Sequence, residues 1–178
     1  AFRGCKALKQ VTLPDQLVKM PQHTFYDCTS LETVTFGTGL TSIGDCAFEG
    51  CSSLQAADFP ASLDSIGRAA FSGCTSLAEV HLNEGLETIG AGAFDGVAFG
   101  KKNLTGDIVD GTGILTIPGS VTKIGGAAFR NSACLKTVEF ENGTAELVMD
   151  WNYDNRSDQG AFRGCKALKQ VTLPDQLV

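Results

Sequence analysis

Residues 150–158 have the spacing of oxygen ligands that is most suggestive of a metal site in this sequence. Side-chain oxygens stand at positions 1, 3, 5 and 9 of the stretch, the order that opens a calcium-binding loop. Two departures weaken the match, since Asn155 replaces the usual Gly and Ala161 takes the place of the bidentate Glu. Calcium is therefore a weak candidate beside a solvated polar loop, with these potential ligands: Asp150, Asn152, Asp154 and Asp158.

The same stretch contains Trp151 and Tyr153. Large aromatic side chains are enriched among the residues that dominate binding energy at protein interfaces. If these two are exposed, they would anchor a protein partner, so the loop is also a candidate interaction site.

Asn103, Asn142 and Asn155 each begin an Asn-x-Ser/Thr sequon. All three lie in or beside segments that interrupt the repeat described below. In a eukaryotic secreted protein they would carry glycans on surface loops. In a bacterial protein they would be polar loop residues with no such meaning, and both interpretations stay open.

Catalytic and cofactor motifs are not found. No pair of cysteines joins a histidine at zinc spacing, and His23 and His81 occupy different positions in the repeat. Neither G-x-S-x-G nor G-K-[ST] occurs, and the Gly-rich runs do not match a dinucleotide-binding fingerprint. The sequence therefore predicts a protein that is not an enzyme and needs no cofactor.

Phenylalanine recurs at a nearly constant interval and defines the architecture. Successive steps are 23, 23, 23, 23, 35 and 33 residues, so the last two equal one period plus 12 and plus 10. Apolar residues return six, nine, eleven, fifteen and eighteen positions after each of the first four phenylalanines, and six, nine and eleven positions after Phe129. The series consists of Phe2, Phe25, Phe48, Phe71, Phe94, Phe129 and Phe162.

A period of 23 residues is too short for two full helices and is typical of one coil of a leucine-rich-repeat solenoid. The V-x-L segment of each coil alternates apolar and polar residues, which predicts a short strand that pairs in parallel with the next coil. Prolines such as Pro14 and Pro60 follow the strand and would end it. We expect one glycine column to allow unusual φ angles where the chain turns back: Gly44, Gly67, Gly90 and Gly125.

These elements predict an α/β-type solenoid. It would have mostly short parallel β-strands joined by loops and short helical turns, in about seven coils with two insertions, residues 98–111 and 144–160. Each coil has too little interior to fold alone, so the coils above and below must bury its apolar columns.

Five of the seven cysteines form a column three residues after the phenylalanines: Cys5, Cys28, Cys51, Cys74 and Cys165. Stacked positions point the same way, which favours a ladder of buried thiols over disulfides, although the spacing between coils permits a disulfide. Cys46 and Cys134 lie outside the column.

The composite pattern I-G-x-x-A-F-x-x-C-x-x-L resembles the leucine-rich repeats of the BspA and Treponema pallidum type, over nearly the whole chain. This resemblance implies a right-handed solenoid from a secreted or cell-surface protein. It also implies adhesion to host or matrix proteins as a common use, and no enzymatic activity.

Residues 161–178 repeat residues 1–18 letter for letter. We therefore interpret residues 1–178 as one continuous solenoid, in which residues 1–160 are a super-repeat and residues 161–178 begin the next. Packing alone does not require identity at surface positions. Because core columns reach both termini without capping repeats, we expect further chain or another copy to cover them.

The overall composition excludes some functions. A net charge of −6 and scattered basic residues argue against a nucleic-acid partner. No apolar run is long enough to span a membrane.

Solenoids commonly bind through the side lined by their strands. By register, its outward residues are mostly small and polar, with few aromatic or arginine anchors. The candidates for an interaction face are Gln10, Thr12, Thr33, Thr35, Asp58, Glu79, His81, Thr137 and Glu139.

Two functional hypotheses follow from these patterns. The first is a structural protein whose super-repeats stack end to end into a long extracellular fibre, stalk or surface array. The second is a cell-surface adhesin that binds host or matrix proteins through the strand face or the 150–158 loop. An intracellular scaffold is a third alternative, which glycans on Asn103 or Asn142 would exclude.

Overall fold

The computed structural model describes residues 1–102, 108–110, 113–143, 146–149 and 160–175, with the backbone alone for 101, 102 and 108–110. Over these ranges the chain winds into a parallel β-solenoid of about five turns. The predicted solenoid is confirmed. The predicted number of about seven coils is too high, because the coils at the two ends are incomplete.

The strands predicted from the V-x-L segments line one side of the solenoid. They pair in parallel, so that each residue lies opposite its equivalent one repeat later. Val11, for example, lies opposite Val34. This strand face consists of three sheets, in the orders β1-β3, β5-β7 and β11-β13-β15. Its strands are β1 Gln10–Thr12, β3 Thr33–Thr35, β5 Ala56–Asp58, β7 Glu79–His81, β11 Ile114–Ile117, β13 Thr137–Phe140 and β15 Gln170–Thr172.

A second parallel sheet runs along another side of every complete coil, where the sequence predicts only a turn. It has six strands in the unbroken order β14-β12-β8-β6-β4-β2. Each strand is two residues long, too short for alternation to reveal it. These strands are β2 Lys19–Met20, β4 Ser42–Ile43, β6 Ser65–Ile66, β8 Thr88–Ile89, β12 Lys123–Ile124 and β14 Val148–Met149.

The segments between strands are hydrogen-bonded turns. In the parts of the chain that the structure describes there is no helix, so the predicted short helical turns are wrong. At the phenylalanine corner, for example, the Cys51 N–H donates to the Phe48 carbonyl at 3.1 Å. It follows that the described ranges also contain no helix long and apolar enough to cross a membrane.

The first insertion contains one antiparallel pair, β9 Lys101–Lys102 with β10 Ile108–Asp110. The solenoid continues beyond it without losing register. Phe94 and Phe129 are 35 residues apart in sequence, yet their rings stack at 5.5 Å with planes 3° apart.

Seven stacked phenylalanine rings form the centre of the core. Neighbouring ring centroids are 5.1–5.5 Å apart, and the planes of neighbouring rings lie within 13° of one another. The five inner rings are fully buried, as are the leucine and isoleucine columns around them. Each of the five inner rings is therefore covered by the coils before and after it, as expected if single coils cannot fold alone.

The glycine column that begins with Gly44 has a different role from the one predicted. None of its members, Gly44, Gly67, Gly90 and Gly125, is among the residues with positive φ. Instead, a Cβ on Gly67 would lie 2.7 Å from the Asp45 nitrogen, and one on Gly125 would lie 2.4 Å from the Ala91 nitrogen.

These glycines are therefore required because adjacent coils approach too closely for a side chain. Positive φ angles occur instead in two other columns, two residues before the phenylalanines, as at Ala69 with φ +51°, and two residues after them, as at Gly73 with φ +74° and Gly96 with φ +76°. Asp27 and Asn131 occupy the same position as Gly73 with positive φ, as expected for the side chains that best tolerate this conformation.

We expect Gly67→Ala to lower the free energy of unfolding by about 2–3 kcal/mol, because the methyl group would collide with backbone of the previous coil that cannot move away. Gly96→Ala is the matched control. A Cβ there meets nothing within 4 Å, so the loss should be only about 1 kcal/mol, from the positive φ alone. Urea unfolding of both variants measures the difference, and equal losses would show that close approach does not constrain this column.

Candidate interaction surfaces

The strand face presents polar side chains to solvent in two columns. Gln10 lies beside Thr33, and Thr12 lies beside Thr35. All of the predicted face residues are exposed except Thr137, which is half-buried. Most are threonine, glutamine or a carboxylate, so the face offers hydrogen-bonding groups and little apolar area. Its role as a binding surface remains a prediction.

Asp58 and His81 form a hydrogen-bonded pair on this face. The His81 Nδ1 lies 2.9 Å from the Asp58 Oδ1 across β5 and β7. Both side chains are largely exposed, at 73% for His81 and 81% for Asp58. Solvent screens such a pair, so it orders the face locally and contributes little stability.

A groove of about 680 Å³ crosses several coils just before the face strands. Its lining combines hydroxyl, amide and small side chains, and one carboxylate from Glu32. Among the lining residues are Ser53, Gln55, Thr75, Ser76 and Cys134. The volume lies in the range of small-ligand sites, but such sites are mostly apolar, so this groove lacks the lining typical of one.

The other sequence candidates are located as follows. Asn142 is exposed just after β13, and its Oδ1 accepts a hydrogen bond of 3.3 Å from the Asp175 N–H. Asn103, Asn155, Trp151 and Tyr153 lie outside the described residues, as do the potential calcium ligands Asp150, Asn152, Asp154 and Asp158. Within the described ranges, no group of three or more His, Cys, Asp or Glu side chains could hold a metal ion.

The cysteine column is a ladder of free thiols, and all of its members after Cys5 bond to the previous coil. The Cys51 Sγ donates to the Phe25 carbonyl at 3.1 Å, and the Cys74 Sγ donates to the Phe48 carbonyl at 3.1 Å. Cys28 makes the same bond to Phe2. The thiols therefore satisfy carbonyls at the phenylalanine corner, in addition to filling space.

Burial raises the pKa of the column thiols. It raises that of Cys51 to about 12 and that of Cys74 well above its usual range. The pKa values of Cys28 and Cys165 are also raised by burial, and burial raises that of Cys46, outside the column, to about 12. Since the thiolate is the reactive form, the buried thiols are inert at neutral pH.

The two copies of the eighteen-residue segment are covered on opposite sides. Residues 1–18 pack against the following coil, with Phe2 stacked on Phe25 at 5.3 Å. The Arg3 guanidinium also lies 4.5 Å from the centre of the Tyr26 ring. The free side of this coil leaves Phe2 49% exposed.

Residues 161–175 pack instead against the preceding coil. Phe162 stacks on Phe129 at 5.2 Å, and the Cys165 Sγ donates to the Phe129 carbonyl at 3.1 Å. On the opposite side, Val171 and Leu173 are 41% and 53% exposed. One amino-acid sequence thus makes ordered contacts through one side in the first copy and through the other side in the second.

A family model for the BspA type leucine rich repeat region, in six copies, matches residues 1–109 and 112–178. The chain belongs to this BspA-type family. The match confirms the resemblance that the repeat signature indicates, and it covers both copies of the eighteen-residue segment.

Several solved structures resemble the chain, among them those of two bacterial proteins. A T. pallidum leucine-rich-repeat protein, TpLRR, is 27% identical with a TM-score of 0.70, and the match covers 94% of this chain and 71% of that one. The pneumococcal vaccine antigen PcpA is 20% identical with a TM-score of 0.50, covering 95% of this chain and 51% of that one. PcpA supports the fold alone. Among curated protein sequences, no relative matches significantly.

The periodicity of this BspA-type chain predicts its columns of equivalent residues, but it does not predict several contacts between the columns. The Arg3–Tyr26 contact and the bonds from thiols to carbonyls join residues 23 and 26 positions apart. The constant spacing of the cysteine and phenylalanine columns was the available signal. Predicting the bonds from that spacing also requires the orientation of each cysteine side chain, which the spacing does not determine.

We expect an alkylating reagent to modify Cys5 of the folded protein rapidly and to leave Cys51 and Cys74 unmodified. Cys5 is exposed, whereas the other two thiols are buried and protonated at neutral pH. Mass spectrometry of peptides after brief labelling measures the pattern, and labelling in urea is the control in which all three should react. Rapid modification of Cys74 in the native state would contradict the buried ladder.

The same pKa shift predicts a loss of stability in alkaline solution. An unfolded thiol ionises near pH 8.5, whereas folded Cys51 holds its proton to about pH 12. Between these values the unfolded state binds fewer protons, so the free energy of unfolding should fall as the pH rises. Urea titrations at increasing pH test this, and Cys51→Ser should show a weaker decline.

Proposed function

We propose that this protein is a non-enzymatic structural solenoid whose 160-residue unit stacks end to end into an extracellular fibre, stalk or surface array. The observation that carries the proposal is the two-sided packing of the repeated segment. Residues 161–175 contact the preceding coil, and residues 1–18 contact the following coil, through opposite sides of the same sequence. One copy of the segment could therefore make both sets of contacts at once.

Superposing the two copies gives the contacts of such a junction. Phe162 would stack on Phe129 of its own unit and on Phe25 of the next. Arg163 would lie over Tyr26 of the next unit, as Arg3 does here. The Asp175 carboxylate would accept the Thr38 amide N–H, the bond that Asp15 makes at 2.9 Å. No new type of contact is needed.

The energy of the junction comes mainly from apolar burial. Half-exposed side chains at the end of one unit, such as Phe2, Val171 and Leu173, would become buried as the inner columns are. At about 1 kcal/mol for each half-buried large side chain, a junction gains several kcal/mol. The two joined surfaces differ from each other, so the contact is head to tail, which builds an open filament when the rotation from unit to unit does not close a ring.

A two-unit chain, residues 1–160 followed by 1–178, tests this function. We expect the cysteine at the internal junction, equivalent to both Cys5 and Cys165, to be modified at least about tenfold more slowly than Cys5 at the start, because coils on both sides bury it. The control joins two complete 178-residue units through a flexible linker, which keeps the units separate.

Unfolding provides a second measurement on the same pair of proteins. If the junction forms, the two-unit chain should unfold at a higher urea concentration than the linked control, since nearest-neighbour contacts add to solenoid stability. Equal thiol reactivity together with equal unfolding midpoints would contradict end-to-end stacking.

An adhesin that binds host or matrix protein through the strand face is the second candidate. It is favoured by the exposed polar groups of the strand face and by the groove beside it. Glu79→Ala with His81→Ala should then weaken binding to immobilised matrix proteins at least about tenfold. Gln22→Ala with Asp64→Ala, which are exposed elsewhere on the coils, should not. Unchanged binding by the face variant would exclude this surface.

A further inference from the structure

Charge is segregated along the solenoid. Residues 20–100 carry ten carboxylates and one cation, Arg68. Residues 1–19 carry four cations and one carboxylate. Residues 101–178 carry nine cations and nine carboxylates, so the net charge of −6 comes from one acidic block of coils, residues 20–100, preceded by a basic coil.

The basic side chains of the end coils share one side of the solenoid. In the first coil Arg3, Lys6 and Lys9 are exposed at offsets of one, four and seven residues from the phenylalanine. Arg163, Lys166 and Lys169 repeat the arrangement. The coil next to them adds Lys136 at the same offset as Lys169, whereas Arg130, at the offset of Arg163, is already paired with Asp95. We call the other four residues of these two adjacent coils the basic patch: Lys136, Arg163, Lys166 and Lys169.

The acidic block surrounds the solenoid. Its carboxylates include Asp27 and Glu49 near the offsets of the basic patch, Asp58 and Glu79 on the strand face, and Asp64 near the second sheet. Any side of these coils therefore presents negative charge, whereas positive charge is concentrated on one side of the basic coils.

Ion pairs mark both boundaries of the acidic block. At one end the Lys9 ammonium lies 3.8 Å from Glu32, and at the other the Arg130 Nε donates to Asp95 at 3.0 Å. Adjacent coils of opposite sign thus already pair within the chain. Beyond these boundaries, like charges stand in neighbouring coils, for example Lys136 beside Lys169, which raises the energy of the isolated solenoid.

From this distribution we infer that the solenoid associates laterally with a second copy of itself, the basic patch of one copy lying against the acidic coils of the other. Alignment with the same coils opposite each other would oppose like charges. A displacement of two or three coils, about 10–16 Å at the ring spacing of 5.1–5.5 Å, opposes unlike charges. Electrostatic complementarity then sets the relative position of the two copies.

A single pair of charged surfaces binds weakly, because exposed ion pairs are screened by solvent and salt. An array presents one basic patch and one acidic block in every 160 residues, so lateral contacts along two arrays reinforce one another. This reinforcement rests on the end-to-end stacking proposed above, whereas the surface itself is present in a single unit.

Sedimentation velocity of the 178-residue and two-unit chains at about 10 mM and about 0.5 M salt tests the inference, because these concentrations bracket weak and nearly complete screening. We expect association at low salt only, at least about tenfold tighter for the two-unit chain. Junction thiol reactivity is measured separately in the high-salt samples, so a failure of end-to-end stacking is distinguishable from a failure of lateral association.

Two charge variants locate the surface. Lys166→Gln with Lys169→Gln should weaken association about three- to tenfold. Lys19→Gln with Lys123→Gln, which removes the same charge from the second sheet, should change it less than about twofold. Equal effects of the two variants would overturn the inference, as would the absence of association at low salt. Binding of dextran sulfate, compared with uncharged dextran, by a chain that does not self-associate would assign the basic patch to a polyanionic glycan instead.

Discussion

The close approach of successive backbones is the constraint on which the rest of this structure depends. Main-chain hydrogen bonds between coils hold neighbouring phenylalanine rings 5.1–5.5 Å apart, which is near the spacing of hydrogen-bonded strands. At that distance a side chain cannot fit where two turns meet, so successive coils have glycine at that turn: Gly44, Gly67, Gly90 and Gly125. The apolar columns then stack like on like, because a core residue contacts mainly its own equivalents one repeat away.

The chemistry of the core follows from this stacking. Parallel rings and aliphatic columns bury apolar area without needing partners from distant parts of the chain. The polar carbonyls at the phenylalanine corner are the exception, and the column thiols bond to them. Where Ser132 replaces cysteine, its hydroxyl donates to the Phe129 carbonyl of its own coil at 2.8 Å. The Phe94 carbonyl accepts the Val97 N–H at 3.2 Å, so a thiol from the next coil is not required at every corner.

The sequence was sufficient to predict the repeat, the strand face and the family, because each depends on the periodicity of apolar residues. It was insufficient for the second sheet, whose two-residue strands such as Ser65–Ile66 show no alternation. The role of Gly67 was also inferred wrongly, since sequence reveals that glycine is needed but not whether φ or space requires it. Contacts such as Arg3 over Tyr26 depend on side-chain direction, which periodicity does not determine. The candidate ligands in the 150–158 loop lie outside the repeat, so the repeat provides no information about their geometry.

Phe94 stacks on Phe129 although the two residues are 35 positions apart in sequence. The rise along the solenoid axis therefore does not depend on the number of residues in a coil. A coil can contain extra chain provided that its backbone leaves and re-enters the same columns, because the stack of rings then keeps its spacing. Length variation in surface loops is thermodynamically inexpensive. Evolution or engineering could therefore vary the surface loops of such a protein, coil by coil, while the dimensions of the solenoid stay constant.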